Sequence, residues 1–218
     1  MKPAAVITDI EGTTTPIAFV HRVLFPYARE RMADFVASGH ATLADVPEPK
    51  LQTLLGWMDR DEKVTALKTI QGILWDEGYR NGALTAQVYD DVPPALRRWA
   101  RAGLRLFVYS SGSIPAQKLL FGHTGQGDLT PLFQAYFDTT TGPKREAASY
   151  GTIAKGIGLP AAEILFLSDI EAELDAASAA GLQTCQLLRA EDGTTPATRH
   201  ATAADFTEVA QKFGLPRG

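Results

Sequence analysis

The sequence is poor in the residues that several common kinds of site require. It holds a single cysteine, Cys185, in 218 residues, which excludes an intrachain disulfide framework and any zinc centre built on several thiolates. The flanks of Cys185 predict a buried thiol, and its solitude fits a reducing cytosol. There is no cationic surplus either: 21 Lys and Arg stand against 25 Asp and Glu, a formal net charge of −4. A chain so balanced has little with which to neutralise a phosphate backbone or an anionic bilayer, so neither nucleic acid nor membrane is expected as a partner. No stretch approaches the roughly 18–20 apolar residues of a membrane-spanning helix. The N-terminal run MKPAAVITDIEGTTT reaches Asp9 and Glu11 before a cleavage pattern can form, so no signal peptide is expected. The expectation is a soluble, cytoplasmic protein.

What is present reads as an ordinary globular chain, 45% hydrophobic and 21% charged, without repeats or low-complexity segments. Its length lies between one domain and two at roughly 150 residues per domain. Short aliphatic runs end in small polar residues and give way to helical periodicity, which marks α/β architecture around a parallel sheet. Strands are expected at 4–8, 104–109, 164–168 and 184–188, with a short one at 135–137. Helices are expected from near Pro93 to Gly103, from 145 to 155, and from 171 to 180, while residues beyond about Phe213 read as frayed.

Residues 17–92 differ. Leu51, Leu54, Leu55 and Met58 recur at helical spacing, as do Val64, Leu67, Ile70 and Leu74, and no alternating strand pattern appears. This segment is expected to be a helical insertion, with Phe19, Phe25, Tyr27, Trp57, Trp75 and Tyr79 supplying most of its own small core and one or two of them lining a pocket. The predicted division is a catalytic α/β core of residues 1–16 and 93–218 and a helical domain of residues 17–92.

The chemistry gathers at strand ends. Ala4–Thr8 runs directly into Asp9-Ile10-Glu11-Gly12-Thr13-Thr14-Thr15, and ligands of open parallel sheets bind outside the carboxyl ends of strands. Two acids one residue apart repel, which a divalent metal would relieve. After the second long strand come Ser110, Ser111, Gly112 and Ser113, opening a helix whose amides suit an anion. After the strand at 164–168 comes Asp169, then Glu171, Glu173 and Asp175, of which Glu173 and Asp175 read as complements of a helix dipole. Lys144 precedes a helix, where a cation is disfavoured unless an anion is bound nearby.

In this order, D-x-E-G-T, S-S-G-S, a lone Lys and S-D-x-x-x-E-x-D-A-A, the sequence resembles the haloacid dehalogenase-like phosphohydrolases along nearly its whole length. The resemblance implies a Rossmann-like core with a helical cap domain inserted after the first strand. It also implies Asp9 as a nucleophile that becomes an aspartyl phosphate, Ser110 and Lys144 as phosphate ligands, and Asp169 on a Mg²⁺ ion. Most phosphatases of the family carry Asp where this chain has Glu11. The string D-I-E-G-T-T-T-P-I with Ser110-Ser111 is similar to one branch, the enolase-phosphatases (acireductone synthases) of methionine salvage. That likeness implies Ser110, Ser111 and Lys144 on substrate, and Asp9, Glu11 and Asp169 around one Mg²⁺ per chain. The implied substrate is a small phosphorylated diketone, 2,3-diketo-5-methylthiopentyl 1-phosphate, which is enolised and then dephosphorylated. A capped enzyme that closes its own site needs no partner, so a monomer is expected. Glu11 and residues of the insertion such as His21 both stand open as the base for enolisation. A simple Mg²⁺-dependent phosphomonoesterase, a phosphomutase and a non-catalytic phosphate-binding module are the alternatives.

Overall fold

A computed structural model describes residues 2–217. The chain forms two compact units, one of Met1–Ile17 with Gln87–Gly218 and one of Ala18–Ala86. In chain order the elements are β1 (Ala5–Thr8), α1 (Ile17–Phe19), α2 (Phe25–Ala37), α3 (Lys50–Asp59), α4 (Thr65–Arg80), α5 (Val92–Arg101), β2 (Arg105–Tyr109) and α6 (Ile114–Gly122). They continue with β3 (Phe133–Phe137), α7 (Ala147–Ile157), β4 (Ile164–Ser168), α8 (Glu171–Ala179), β5 (Gln183–Leu187), β6 (Ala201–Ala203) and α9 (Phe206–Phe213).

The larger unit is an α/β layer built on one parallel sheet in the order β3-β2-β1-β4-β5-β6. β1 is central, paired in register with β2 on one side and β4 on the other. All four of its residues are buried, as expected of a strand covered on both faces. Chain order reverses at β1, which is where parallel sheets open a crevice for ligands. One core cluster gathers Ile7, Phe107, Tyr109, Ile164 and Phe166 from the strands with Tyr150, Ile153 and Leu174 from α7 and α8. Elsewhere in this unit Trp99 of α5 stacks on Phe206 of α9, with ring centroids 5.2 Å apart.

Several local details depart from the sequence expectation. The helix leading out of the lysine loop runs through Gly156 and ends at Gly158, whose left-handed backbone (φ 75°) caps it. β6 was not foreseen, being only three residues, Ala-Thr-Ala, with little periodicity to read. The tail does not fray at Phe213: Leu215 is buried and its amide bonds Ala210 O at 2.9 Å after the left-handed Gly214. That is the hydrophobic contact that commonly accompanies a glycine-capped helix end.

The smaller unit is helical. Met32, Leu54, Leu67, Ile70 and Leu74 form its buried core, with Leu51, Leu55, Met58 and Val64 packed around them. Of the aromatics expected to fill it, Phe19, Tyr27 and Tyr79 are buried while Phe25, Trp57 and Trp75 are half-buried. A π-helical turn, Val20–Leu24, joins α1 to α2. Such a turn loosens the regular ladder, and the indole of Trp75 donates to Leu24 O at 2.8 Å.

Phe166 is fully buried in the centre of the sheet, edge-on to Tyr150 at 5.1 Å between centroids. Phe166→Ala is expected to lower the stability of the larger unit by about 3–5 kcal/mol in urea denaturation. A loss under about 1 kcal/mol would show that the core clusters described above do not carry the fold.

Candidate active site

Four strand-end segments build the site, and each is shaped by short-range hydrogen bonding. Asp9 follows β1 directly; its amide donates to Leu167 O at 2.9 Å, and its carbonyl accepts from the hydroxyls of Thr8 at 2.9 Å and Thr14 at 3.2 Å. The amides of Thr13, Thr14 and Thr15 all return to Ile10 O at 2.9–3.2 Å, and Gly12 N bonds Thr15 O at 2.9 Å. The result is a closed turn that fixes the backbone on either side of Glu11. Gly12 is required here: its φ is 67°, and a Cβ at this position would lie 2.5 Å from Asp169 Oδ2.

Beside it, β2 ends in the serine cluster. Ser110 is buried, its amide bonded to Phe137 O at 3.2 Å and its Oγ accepting from Gly112 N at 3.3 Å. Ser111 is half-buried, and Ser113 caps α6 through Ala116 N. Gln117, fully buried, donates its side-chain amide to Gly112 O at 2.7 Å and Phe137 O at 2.9 Å. Asp138 accepts Ile114 N at 3.2 Å with one oxygen and Thr140 with the other. The loop is thus fixed from both sides while its amides cluster at a helix start, a geometry suited to anions.

Lys144 is held by the loop after β3. Tyr109 Oη donates to Gly142 O at 2.8 Å, and Tyr150 Oη to Lys144 O at 2.8 Å. Gly142 has φ 145°, and a Cβ there would strike Ser149 Oγ. The Lys144 side chain, only 9% exposed, reaches Asp9 Oδ1 at 2.7 Å and Glu173 Oε2 at 2.6 Å. Burial works against its charge, but the two carboxylates outweigh burial and push its pKa up. Glu173 also accepts from Ser168 Oγ at 2.9 Å.

The acids outnumber this cation. Asp169, at the end of β4 next to β1, has its pKa raised to about 7, first by burial and then by the charge of Asp9. Glu173 is likewise raised to about 7, by burial and Asp9, against the opposing pull of Lys144. Asp169 Oδ1 is buried without a hydrogen-bond partner. A buried carboxylate oxygen left in that condition is costly, and a hard cation with oxygen ligands would satisfy it.

The structure therefore brings Asp9 and Lys144 into direct contact, with Asp169 on the neighbouring strand end and Ser110 and Ser111 on the other side of β1. Glu11 is half-buried, its backbone bridged to Thr15. Among the described residues no three His, Cys, Asp or Glu side chains cluster as a metal cage. Sequence reasoning misassigned Glu173: it is a buried partner of Lys144, where dipole complementation had been expected. No local signal announces this, because Lys144 lies on a different loop and Glu173 reads as one more acid in the first turn of α8. Asp175 points elsewhere, to Arg199 and His200, whose hydrogen bonds hold its carboxyl down at about 2.

Comparison with known proteins accords with this geometry. The haloacid dehalogenase-like hydrolase family model matches residues 3–181. The enolase-phosphatase E1 of Granulibacter bethesdensis is 58% identical, with 98% of each chain covered. That of Gluconacetobacter diazotrophicus is 53% identical over 97% of this chain and 95% of its own. Among solved structures, the UTR4 protein of Saccharomyces cerevisiae superposes with a TM-score of 0.81 at 35% identity, covering 93% of this chain and 98% of that one. CbbY of Rhodobacter sphaeroides, at 16% identity and a TM-score of 0.67, shares the fold. With Asp9 directly after β1, Lys144 paired to it and relatives at this identity over full length, the chain belongs to the haloacid dehalogenase-like hydrolases, in their enolase-phosphatase E1 family.

Proposed function

We infer that the chain converts 2,3-diketo-5-methylthiopentyl 1-phosphate to 1,2-dihydroxy-3-keto-5-methylthiopentene and phosphate, as an enolase-phosphatase of methionine salvage. The observation that carries this reading is the Asp9–Lys144 pair at the reversal point of the sheet. A carboxylate there stands at the carboxyl edge of the sheet, and a buried ammonium beside it can transfer its hydrogen bonds to a phosphoryl group.

Asp9 attacks phosphorus in line. The bond from phosphorus to the enediol oxygen breaks as the bond to the carboxylate oxygen forms, and the leaving oxygen takes a proton. Lys144 and the hydroxyls and amides of Ser110 and Ser111 hold the remaining phosphoryl oxygens. Water then cleaves the aspartyl phosphate and regenerates Asp9. Glu11, two residues beyond the nucleophile on the same turn, is assigned the proton transfers, including removal of the carbon-bound proton that starts enolisation. Glu173 keeps Lys144 charged and aimed when Asp9 is consumed.

Phosphatases of this family generally use Mg²⁺. The orphaned Asp169 Oδ1 and the excess of buried acid fit such an ion. We assign one Mg²⁺ per chain to Asp9, Asp169 and the backbone carbonyl of Glu11, where it would neutralise phosphate charge and polarise a nearby carbonyl. The helical unit is read as the cap domain of the family. Among the described residues Ile170 is the one exposed large apolar side chain, which supports a monomer. No helix of the described residues is long and apolar enough to cross a membrane. The buried, unpaired Cys185 fits a cytoplasmic setting.

Supplied with the diketo phosphate, the protein should produce the enediol's ultraviolet absorption together with phosphate. Phosphate release from generic esters with no enediol would reduce it to a simple phosphomonoesterase. Asp9→Asn should lower turnover by at least about 10³-fold while keeping the fold; retained phosphatase activity would exclude the covalent route. Addition of millimolar Mg²⁺ should raise the melting temperature of the wild-type protein by a few degrees, since an ion bound to the folded state stabilises it by mass action. Asp169→Asn should abolish that shift. An unchanged Mg²⁺-dependent shift in the variant would place the ion elsewhere.

A further inference from the structure

The loop after β5 carries a buried cluster that the phosphate chemistry above does not use. Arg189 is 5% exposed and turns its donors inward. Nε and Nη2 reach Thr13 O at 3.1 and 2.7 Å. Nη1 and Nη2 grip the two carboxylate oxygens of Asp91 at 2.9 and 3.2 Å, and Nη1 also reaches Ala204 O at 3.3 Å. The guanidinium lies 4.0 Å from the centroid of the Tyr89 ring. Asp91 in turn accepts Phe206 N at 2.8 Å. Three residues on, Asp192 accepts Ile17 N at 3.2 Å and the hydroxyl of Tyr89, whose own amide donates to Thr14 O at 3.0 Å.

A buried guanidinium–carboxylate pair is a poor route to stability alone, because well-packed apolar residues often serve as well. What it supplies is direction. A planar fork with two donors on one carbonyl fixes that carbonyl more tightly than a single flexible donor does. The carbonyl in question belongs to Thr13, inside the closed turn that begins immediately after Asp9. The turn's own bonds converge on Ile10 O, so they set its shape; Arg189, Tyr89 and Asp192 tie it to the rest of the unit.

We propose that Arg189, itself held by Asp91 and Tyr89, is a positioning residue for phosphoryl transfer. It locks the turn of residues 10–15 through the Thr13 carbonyl and so sets the line along which Asp9 approaches phosphorus. The proposal rests on Asp9 as nucleophile. Arg189 touches neither substrate nor reacting atoms, and its effect belongs in kcat, since misplacement by about 1 Å costs on the order of 10²-fold in rate.

The test uses the full chain and two variants. Arg189→Met with Asp91→Asn removes both charges while leaving a carbonyl oxygen for the Phe206 amide. Arg189→Lys keeps a cation against Asp91 but not the two-donor grip. Three quantities are read: the urea midpoint, kcat and KM for phosphate release from the diketo phosphate, and amide hydrogen exchange at Gly12–Thr15 against Ile7 and Phe166. Both variants should lose about 10–100-fold in kcat with KM changed less than about threefold. Exchange in the turn should quicken at least tenfold while the β1 and β4 amides stay protected, and the lysine variant should keep the wild-type urea midpoint. Wild-type kcat in either variant, or unchanged exchange at Gly12–Thr15, would make Arg189 a structural residue only and overturn the proposal. Should the double variant fail to fold, the lysine variant decides by the same readouts. Should the wild-type protein release no phosphate, the functional reading fails, and the exchange data still decide whether Arg189 holds the turn.

Discussion

One buried ammonium organises the site. Lys144 lies within 2.7 Å of Asp9 and 2.6 Å of Glu173, and a charge so desolvated is tolerable only because two acids face it. The balance is nonetheless incomplete. Asp9, Asp169 and Glu173 carry three potential negative charges against one positive, and the deficit appears where physics places it, in the upward shifts of Asp169 and Glu173 to about 7. A site with two charges too many on one side is poised for a dication or for protons. The orphaned oxygen of Asp169 marks the side on which a dication would do most to offset it.

The sheet makes this crowding possible. Because β1 is paired with β2 and β4 in register, the residues that follow these strands emerge side by side at the same edge. Asp9, Ser110 and Asp169 come from positions separated by about a hundred and sixty residues of chain and need no long-range loop closure of their own; strand pairing supplies it. Glycines then permit the close approaches: Gly12 gives Asp169 its place, and Gly142 lets the lysine loop pass over Ser149.

What could be read from the sequence divides along the same line. Strand-end motifs are local: Asp9-Ile10-Glu11-Gly12, Ser110-Ser111-Gly112 and Ser168-Asp169 each announce themselves within a few residues, and the apolar runs before them predict the strands. The helical periodicity of 51–58 and 64–74 was equally visible. Partnerships across the chain were not. Glu173 looks like any acid in a first helical turn until Lys144 is seen against it. Arg189 looks like a surface arginine, since its carbonyl partner Thr13 lies 176 residues away. Short or irregular pieces also escaped: β6 has too few residues to show a period, and the burial of Leu215 depends on the left-handed turn at Gly214.

Two buried cations of the larger unit, Lys144 and Arg189, illustrate why lysine and arginine are not interchangeable. On the proposed mechanism Lys144 faces groups whose charge changes as the reaction proceeds: Asp9 would become an acyl phosphate, and phosphoryl oxygens would arrive beside it. A compact ammonium on a flexible stem can redistribute three hydrogen bonds among such partners without moving its anchor, Glu173. Arg189 faces groups that must not change, a backbone carbonyl and a carboxylate fixed by the Phe206 amide. There a rigid fork is the better instrument, since its directionality converts a buried ion pair into a constraint on backbone position. An adaptable charge beside Asp9 and an unyielding one behind its loop are complementary solutions to one requirement, that Asp9 be electrostatically relieved and geometrically confined at once.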